Sequence, residues 1–241
     1  MTVPSPRPLV LGHRGASRDA VENTLAAFDE ARNQGADGVE LDVHRSRDGA
    51  LVVHHDAAVD GFGVLADHDL DAIRAAVPSI PTLDEVFDAC AGMLVNVEVK
   101  NSPNDVDFDP DDRCAAAVVE LVRGRGLYES TLVSSFHLPT IDRVHALDPE
   151  IATGYLVVVD PLPLVALDIA HAAGHRALHP HLAALGEAFA PDVVARAAEL
   201  GIAVNVWTVN DTSEIARLGA LGVDGIITDT PRLAKQALAV G

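Results

Sequence analysis

The chain has 241 residues, 49% of them hydrophobic, which is enough to bury a large core and suits one barrel or two small domains. A formal net charge of -19 argues against a nucleic-acid partner, which needs a basic face, but not against a small phosphorylated substrate, since a bound divalent cation reverses the field locally. The start, Met1 to Pro8, has no charged segment followed by an apolar one, and no later stretch offers about 18 uninterrupted apolar residues, so the expected location is the cytoplasm without stable membrane insertion.

Short β-branched runs alternate with helix-like stretches along the chain. Strands are predicted at residues 8–12, 38–43, 94–99, 131–135, 152–157, 177–180, 203–207 and 225–228. Between them, residues 23–34, 112–123, 191–200 and 213–221 are rich in Ala, Leu, Glu and Arg at helical spacing. Extra material separates the second and third strands: residues 50–54 read as a short extended run and residues 82–91 as a helix opened by a Thr82 cap. Eight strand-helix units in one domain predict an α/β fold, a (β/α)8 TIM barrel with a small insertion between strands 2 and 3. A doubly wound open sheet shares this periodicity, which does not report closure. Cys90 and Cys114 fall in helix-like segments and read as buried free thiols.

Side chains alternate along a strand, so Val39, Leu41 and Val43 share one face and Glu40 and Asp42 the other. The third strand repeats this, with Val95, Val97 and Val99 opposite Asn96, Glu98 and Lys100. Helices cover the valine faces, which turns three carboxylates toward the barrel axis, where unpaired charge is costly. Oxygen donors from Glu40, Asp42 and Glu98, completed by water and substrate, describe a site for one hard divalent ion, Mg2+ or Ca2+, with Lys100 placed to hold a phosphate. A structural ion-pair cluster is the alternative, but two successive strands acidic on the packed face favour the metal site.

His13 follows the apolar run Leu9-Val10-Leu11 at the end of the first strand, where barrel enzymes place reacting groups. Arg14 offers a planar fork for phosphate oxygens. His54-His55-Asp56 closes another apolar run, so one of those imidazoles also reaches the mouth. Two histidines suit phosphodiester cleavage, which needs one group to accept a proton and another to donate one.

In this order, His13-Arg14-Gly15, Glu22-Asn23-Thr24, Glu40-x-Asp42, His55-Asp56, Asn96-x-Glu98-x-Lys100, Trp207-Thr208-Val209-Asn210 and Gly222 to Asp229 resemble the glycerophosphodiester phosphodiesterase family along nearly the whole chain. The resemblance implies a divalent ion at Glu40, Asp42 and Glu98, and an acid-base pair of His13 and His55, the latter chosen over His54. It implies phosphate contacts from Arg14 and Lys100, and Trp207 beside the pocket, although core filling accounts for Trp207 equally well. The implied reaction is hydrolysis of a small glycerophosphodiester to glycerol 3-phosphate and an alcohol. Glu22-Asn23-Thr24 reads as a capping or loop-fixing element, Asp224 and Asp229 as turn residues, and His179 as lining the mouth. His44, His68, His137, His145, His171, His175 and His181 take ordinary packing or surface roles. Val21 replaces a common Pro, and residues 57–63 lack an Arg-Thr-Thr-like stretch, a difference in the region expected to meet the alcohol. A lysophospholipid phosphodiesterase needs an apolar surface at the mouth, little sign of which appears in a chain with 4% aromatic residues; a phosphodiester sensor would not need both histidines. Oligomeric state, physiological metal and preferred alcohol are not specified by the sequence.

Overall fold

The computed structural model describes residues 7–160 and 162–239. Residues 1–6, part of the stretch examined above for a secretion leader, lie outside them. The chain runs β1 (Leu9–His13), α1 (Leu25–Asn33), β2 (Gly38–Arg45), β3 (Leu51–Val53), β4 (Ala58–Val59), β5 (Gly63–Val64), α2 (Leu70–Ala76), α3 (Leu83–Ala89), β6 (Leu94–Val99), α4 (Arg113–Arg125), β7 (Thr131–Ser135), α5 (Leu138–Leu147), β8 (Ala152–Val157), α6 (Pro163–Ala173), β9 (Ala177–Pro180), α7 (Ala190–Leu200), β10 (Ala203–Val206), α8 (Thr212–Leu221), β11 (Gly225–Thr228) and α9 (Pro231–Ala239).

Strands β1, β2 and β6 to β11 pair in parallel, and the β1–β2 and β1–β11 pairings close the ring, with His13 beside Glu40 and Leu9 beside Gly225. This closed (β/α)8 barrel excludes the open sheet. The insertion after β2 begins with β3, antiparallel to β2, which extends the second strand to Arg45, two residues beyond its predicted end. It continues through the β4–β5 hairpin and α2 to α3, opened by a capping box in which Thr82 accepts from the Glu85 N–H and Glu85 reaches back to the Thr82 N–H. Helix α1 starts at Leu25, two residues later than predicted, because Asn23 adopts φ 54° and Thr24 becomes the N-cap.

The outer faces of β2 and β6 pack as the alternation requires. Val39, Leu41, Val43, Val95, Val97 and Val99 are buried with Phe28 of α1, Val86 of α3 and Val118 of α4. Each such side chain contributes about 1.5–3 kcal/mol when fully buried, and this hydrophobic shell is what allows the inner faces to carry charge. Cys90 and Cys114 are free and buried, and burial pushes both thiols up to about 12. Among the described residues, no helix is long and apolar enough to cross a membrane.

Gly38 opens β2 where β6 passes closest. A Cβ there would lie 2.4 Å from the Leu94 carbonyl oxygen, a backbone atom that cannot swing aside. The Gly38→Ala variant is expected to lose about 2 kcal/mol or more, lowering Tm by roughly 4–8 °C for a domain of this size. An unchanged melting curve by calorimetry would contradict this packing.

Candidate active site

At the C-terminal end of β1 the backbone turns sharply to point its groups into the barrel mouth. Arg14 adopts φ 55°, and its N–H donates to Glu40 Oε2 at 3.1 Å. Gly15 follows at φ 86°, and a Cβ there would lie 2.6 Å from the Ala27 carbonyl carbon, so only glycine lets α1 press against this loop. Asn23, also left-handed, donates through Nδ2 to Asp42 Oδ2 at 2.8 Å. Such strained conformations persist where the surroundings over-determine them. Here they join the first βα loop to the carboxylates of β2. Thr24 caps α1 as expected, while Glu22 pairs with Arg14 at 3.0 Å.

Glu40, Asp42 and Glu98 converge, each offering an oxygen within 4.8 Å of the others, and all three are buried. Asp42 lies 3.1 Å from Arg14 Nε and 3.2 Å from Lys100 Nζ, and Lys100 donates to Glu98 at 2.9 Å. Burial opposes ionisation of Asp42, but Lys100 and Arg14 outweigh it and hold its carboxyl below the ordinary range. Burial also opposes the charge on Lys100, and Glu98 and Asp42 outweigh that in turn, keeping it above the lysine range. At Glu40 burial, reinforced by the charge of Asp42, outweighs the opposing charges of His13 and Arg14 and pushes it up to about 8. Burial likewise raises Glu98.

Two cations thus serve three carboxylates, and the third acid becomes ionised at neutral pH only at a high cost. The donor set is all oxygen, and Asn96 Oδ1 and Nδ2, fully buried beside it, have no hydrogen-bond partner among the described residues. These residues fit a hard divalent ion.

Each of the two histidines carries a carboxylate on Nδ1. His13 Nδ1 lies 2.7 Å from Asp229 Oδ1, and His55 Nδ1 lies 2.7 Å from Asp56 Oδ1. Burial works against protonation of His13, but the Asp229 hydrogen bond and the charge of Glu40 outweigh it, and its pKa stands above the ordinary value. Burial and the nearby Lys100 lower that of His55. His44 is buried, its Nε2 lying 3.2 Å from the His55 carbonyl oxygen and its Nδ1 2.7 Å from Asp107 Oδ2, so it ties the His55 loop to the segment after β6.

A cavity of about 200 Å³ joins these groups, lined by His13, Arg14, Glu40, His55, Glu98 and Lys100 on its polar side and by Phe136, Leu156, Trp207 and Ile227 on its apolar side. Asp42 lies beneath it, 1% exposed. All eight candidate residues are therefore brought together. Trp207 donates through Nε1 to the His179 carbonyl at 2.8 Å and meets Phe136 edge to face. His179 itself does not line the mouth. It is fully buried inside the barrel, accepts from Asn205 Nδ2 at 3.0 Å, and is pushed down to about 3 by burial. A larger recess, about 860 Å³, opens among the N-terminal ends of the strands at Leu9, Leu94 and Ala177, and none of the candidate residues lines it. The candidate residues converge on the smaller cavity instead.

A model of the Glycerophosphoryl diester phosphodiesterase family matches residues 13–233. The chain belongs to this family. A glycerophosphodiester phosphodiesterase of Caldanaerobacter subterraneus subsp. tengcongensis is 32% identical, the match covering 93% of this chain and 95% of the relative. The crystal structure of the Thermotoga maritima glycerophosphodiester phosphodiesterase is similar with a TM-score of 0.81 and 30% identity, covering 95% of this chain and 97% of that one. A phosphodiesterase of Oleispira antarctica, solved in complex with the product sn-glycerol-3-phosphate, has a TM-score of 0.81 and 28% identity, with 97% of each chain covered. The family match includes every candidate residue named above.

Asp229 and His44, which read from the sequence as turn and packing residues, also meet the two histidines, and Phe136, which carries no signal there, lines the cavity. His44 shares its strand face with Glu40 and Asp42, and Asp229 follows the last barrel strand as Arg14 follows the first. The His44 signal was present in the strand pattern, whereas the contact of Asp229 with His13, 216 positions away, was not.

Proposed function

We propose that the chain, as one barrel domain, hydrolyses glycerophosphodiesters to glycerol 3-phosphate and an alcohol, using a divalent ion and two histidines. The observation that carries this reading is the convergence of His13, His55 and three buried carboxylates on one small cavity. A divalent ion held by Glu40, Asp42 and Glu98 supplies charge neutralisation at the phosphoryl oxygens. Arg14 and Lys100 bind the nonbridging oxygens, Arg14 as a fixed fork and Lys100 as a point charge. His13 accepts the proton of the glycerol hydroxyl next to the ester as that oxygen attacks phosphorus. His55 gives a proton to the departing alcohol, leaving a cyclic phosphate. The histidines then exchange roles, and water opens the ring to glycerol 3-phosphate.

The protonation preferences of the resting site run the other way, with His13 raised and His55 lowered. The causes are burial opposed by the Asp229 hydrogen bond for His13, and burial and Lys100 for His55. An anionic phosphate beside Lys100 offsets the charge that disfavours protonated His55 and so favours that ring as the proton donor.

Metal binding is expected to depend on pH. Folded, metal-free Glu40 keeps its proton to about 8, whereas an unperturbed glutamate releases it at 4.5. Its contribution to stability is full below the lower value and is lost as pH rises through the upper one. Ion binding needs the ionised form, so the gain in Tm on adding Mg2+ or Ca2+ should be small near about pH 6 and larger near about pH 9. Equal gains at both would contradict the assignment of Glu40 as a ligand.

The test of the reading is release of glycerol 3-phosphate from glycerophosphocholine and glycerophosphoethanolamine by the purified chain. No release from folded protein with either metal would end it. A lysophospholipid belongs in the same assay, because Val158, Val159, Leu162 and Phe189 are exposed on the loops after β8 and β9, on the face where the cavity opens. That apolar rim was not evident from composition. Faster turnover of the lysophospholipid would make it the substrate class.

A further inference from the structure

We infer that Asp229 is a positioning residue that determines which ring nitrogen of His13 carries the proton, an inference that rests on the two-histidine reading above. Hydrogen bonds of fixed polarity connect three βα loops at this point. Asn210, after β10, accepts through Oδ1 from the Asp229 N–H at 2.9 Å and from Thr228 Oγ1 at 3.0 Å. Two donors on that oxygen fix the amide, and its Nδ2 donates to Asp229 Oδ2 at 2.6 Å. Asp229 Oδ1 is then the oxygen that faces His13 Nδ1 at 2.7 Å, and Ser17 Oγ donates to it at 3.1 Å. A carboxylate only accepts, so neutral His13 holds its proton on Nδ1 and presents Nε2 as the free acceptor.

The same polarity makes an unusual forecast for substitution. In Asp229→Asn, the fixed Asn210 Nδ2 requires an acceptor where Oδ2 stood, so the new amide oxygen takes that place. Its NH2 group is thereby turned onto His13 Nδ1, which must accept and move its proton to Nε2, the wrong tautomer for a base. In Asp229→Ala, no group imposes either tautomer. The isosteric variant should therefore be the worse enzyme. With glycerophosphocholine and Mg2+, kcat is expected to fall about 10³-fold or more in Asp229→Asn and about 10- to 10²-fold in Asp229→Ala, with KM changed by less than about threefold.

The spectroscopic arm is 15N NMR of the histidines, at a pH where His13 is neutral, assigned by the loss of its signals in His13→Gln. The wild type should show the proton on Nδ1, and Asp229→Asn should show it on Nε2. A wild-type proton on Nε2, or an Asp229→Asn enzyme as active as Asp229→Ala or more so, would overturn the inference. If the variants do not fold, the wild-type spectrum decides. If the wild type turns over no diester, the proposed function fails while the spectrum still decides the role of Asp229.

Discussion

Replacing His55 by alanine is expected to lower kcat for glycerophosphocholine by about 10²–10⁴-fold, the range for loss of a general acid or base. The ring is 36% exposed at its side chain and sits on a loop rather than in the core, so Tm should stay within about 2 °C of wild type. His13→Ala should cost a similar factor in kcat, but it also leaves Asp229 without its 2.7 Å partner at a more buried position, so a modest loss of stability should accompany it. The two losses should not multiply. Once one proton carrier is gone, the concerted step is already lost, and the double variant should be close to the worse single one. Steady-state rates beside melting curves check this. A His55→Ala enzyme within about threefold of wild type would remove it from the chemistry.

The second large effect concerns Glu98. Glu98→Gln keeps the shape of the side chain but removes one of three charges from the ion site and leaves Lys100 with Asp42 as its remaining carboxylate. Weaker metal affinity and a loss of turnover of about 10³-fold are expected, since an ion acting as Lewis acid supplies several kcal/mol and each 1.36 kcal/mol is tenfold in rate. Chelation of the wild type should produce a comparable loss, reversed by restoring the metal. In the metal-free state the variant relieves the crowding of Asp42 but loses the charged partner of Lys100 at 2.9 Å, so its melting temperature should fall modestly below that of the metal-free wild type. Melting curves with and without chelator separate these outcomes. Full activity of Glu98→Gln at low metal concentration would contradict the proposed ligand set.

Much of the site was legible because barrel strands alternate strictly. Glu40, Asp42 and Glu98 stood on faces whose opposite sides were valine, and no arrangement of helices over those valines could avoid turning the acids inward. His13 was legible from its place at the end of an apolar run. Closure of the sheet was not, because it depends on the parallel pairing of β1 with β11, more than 200 positions apart, and periodicity is a local property. Asp229 was hidden for the same reason: an aspartate after a strand reads as a turn residue until its partner 216 positions away is brought beside it. His44 was a different kind of omission. It shares the Glu40 and Asp42 face, and its position already implied an inward ring, but one of 11 histidines attracts no attention before the contact with the His55 carbonyl is visible. His179 shows the converse, since a strand end near the mouth did not distinguish an open position from a sealed one.

The most direct test of the account is one assay of the wild type and His55→Ala on glycerophosphocholine, with Mg2+ or Ca2+ and then with chelator, following glycerol 3-phosphate. The predicted result is release by the wild type that stops on chelation, returns with the metal, and falls by about 10²-fold or more in the folded variant. Release that persists under chelation, or that is unchanged in His55→Ala, would contradict the proposed metal and histidine chemistry.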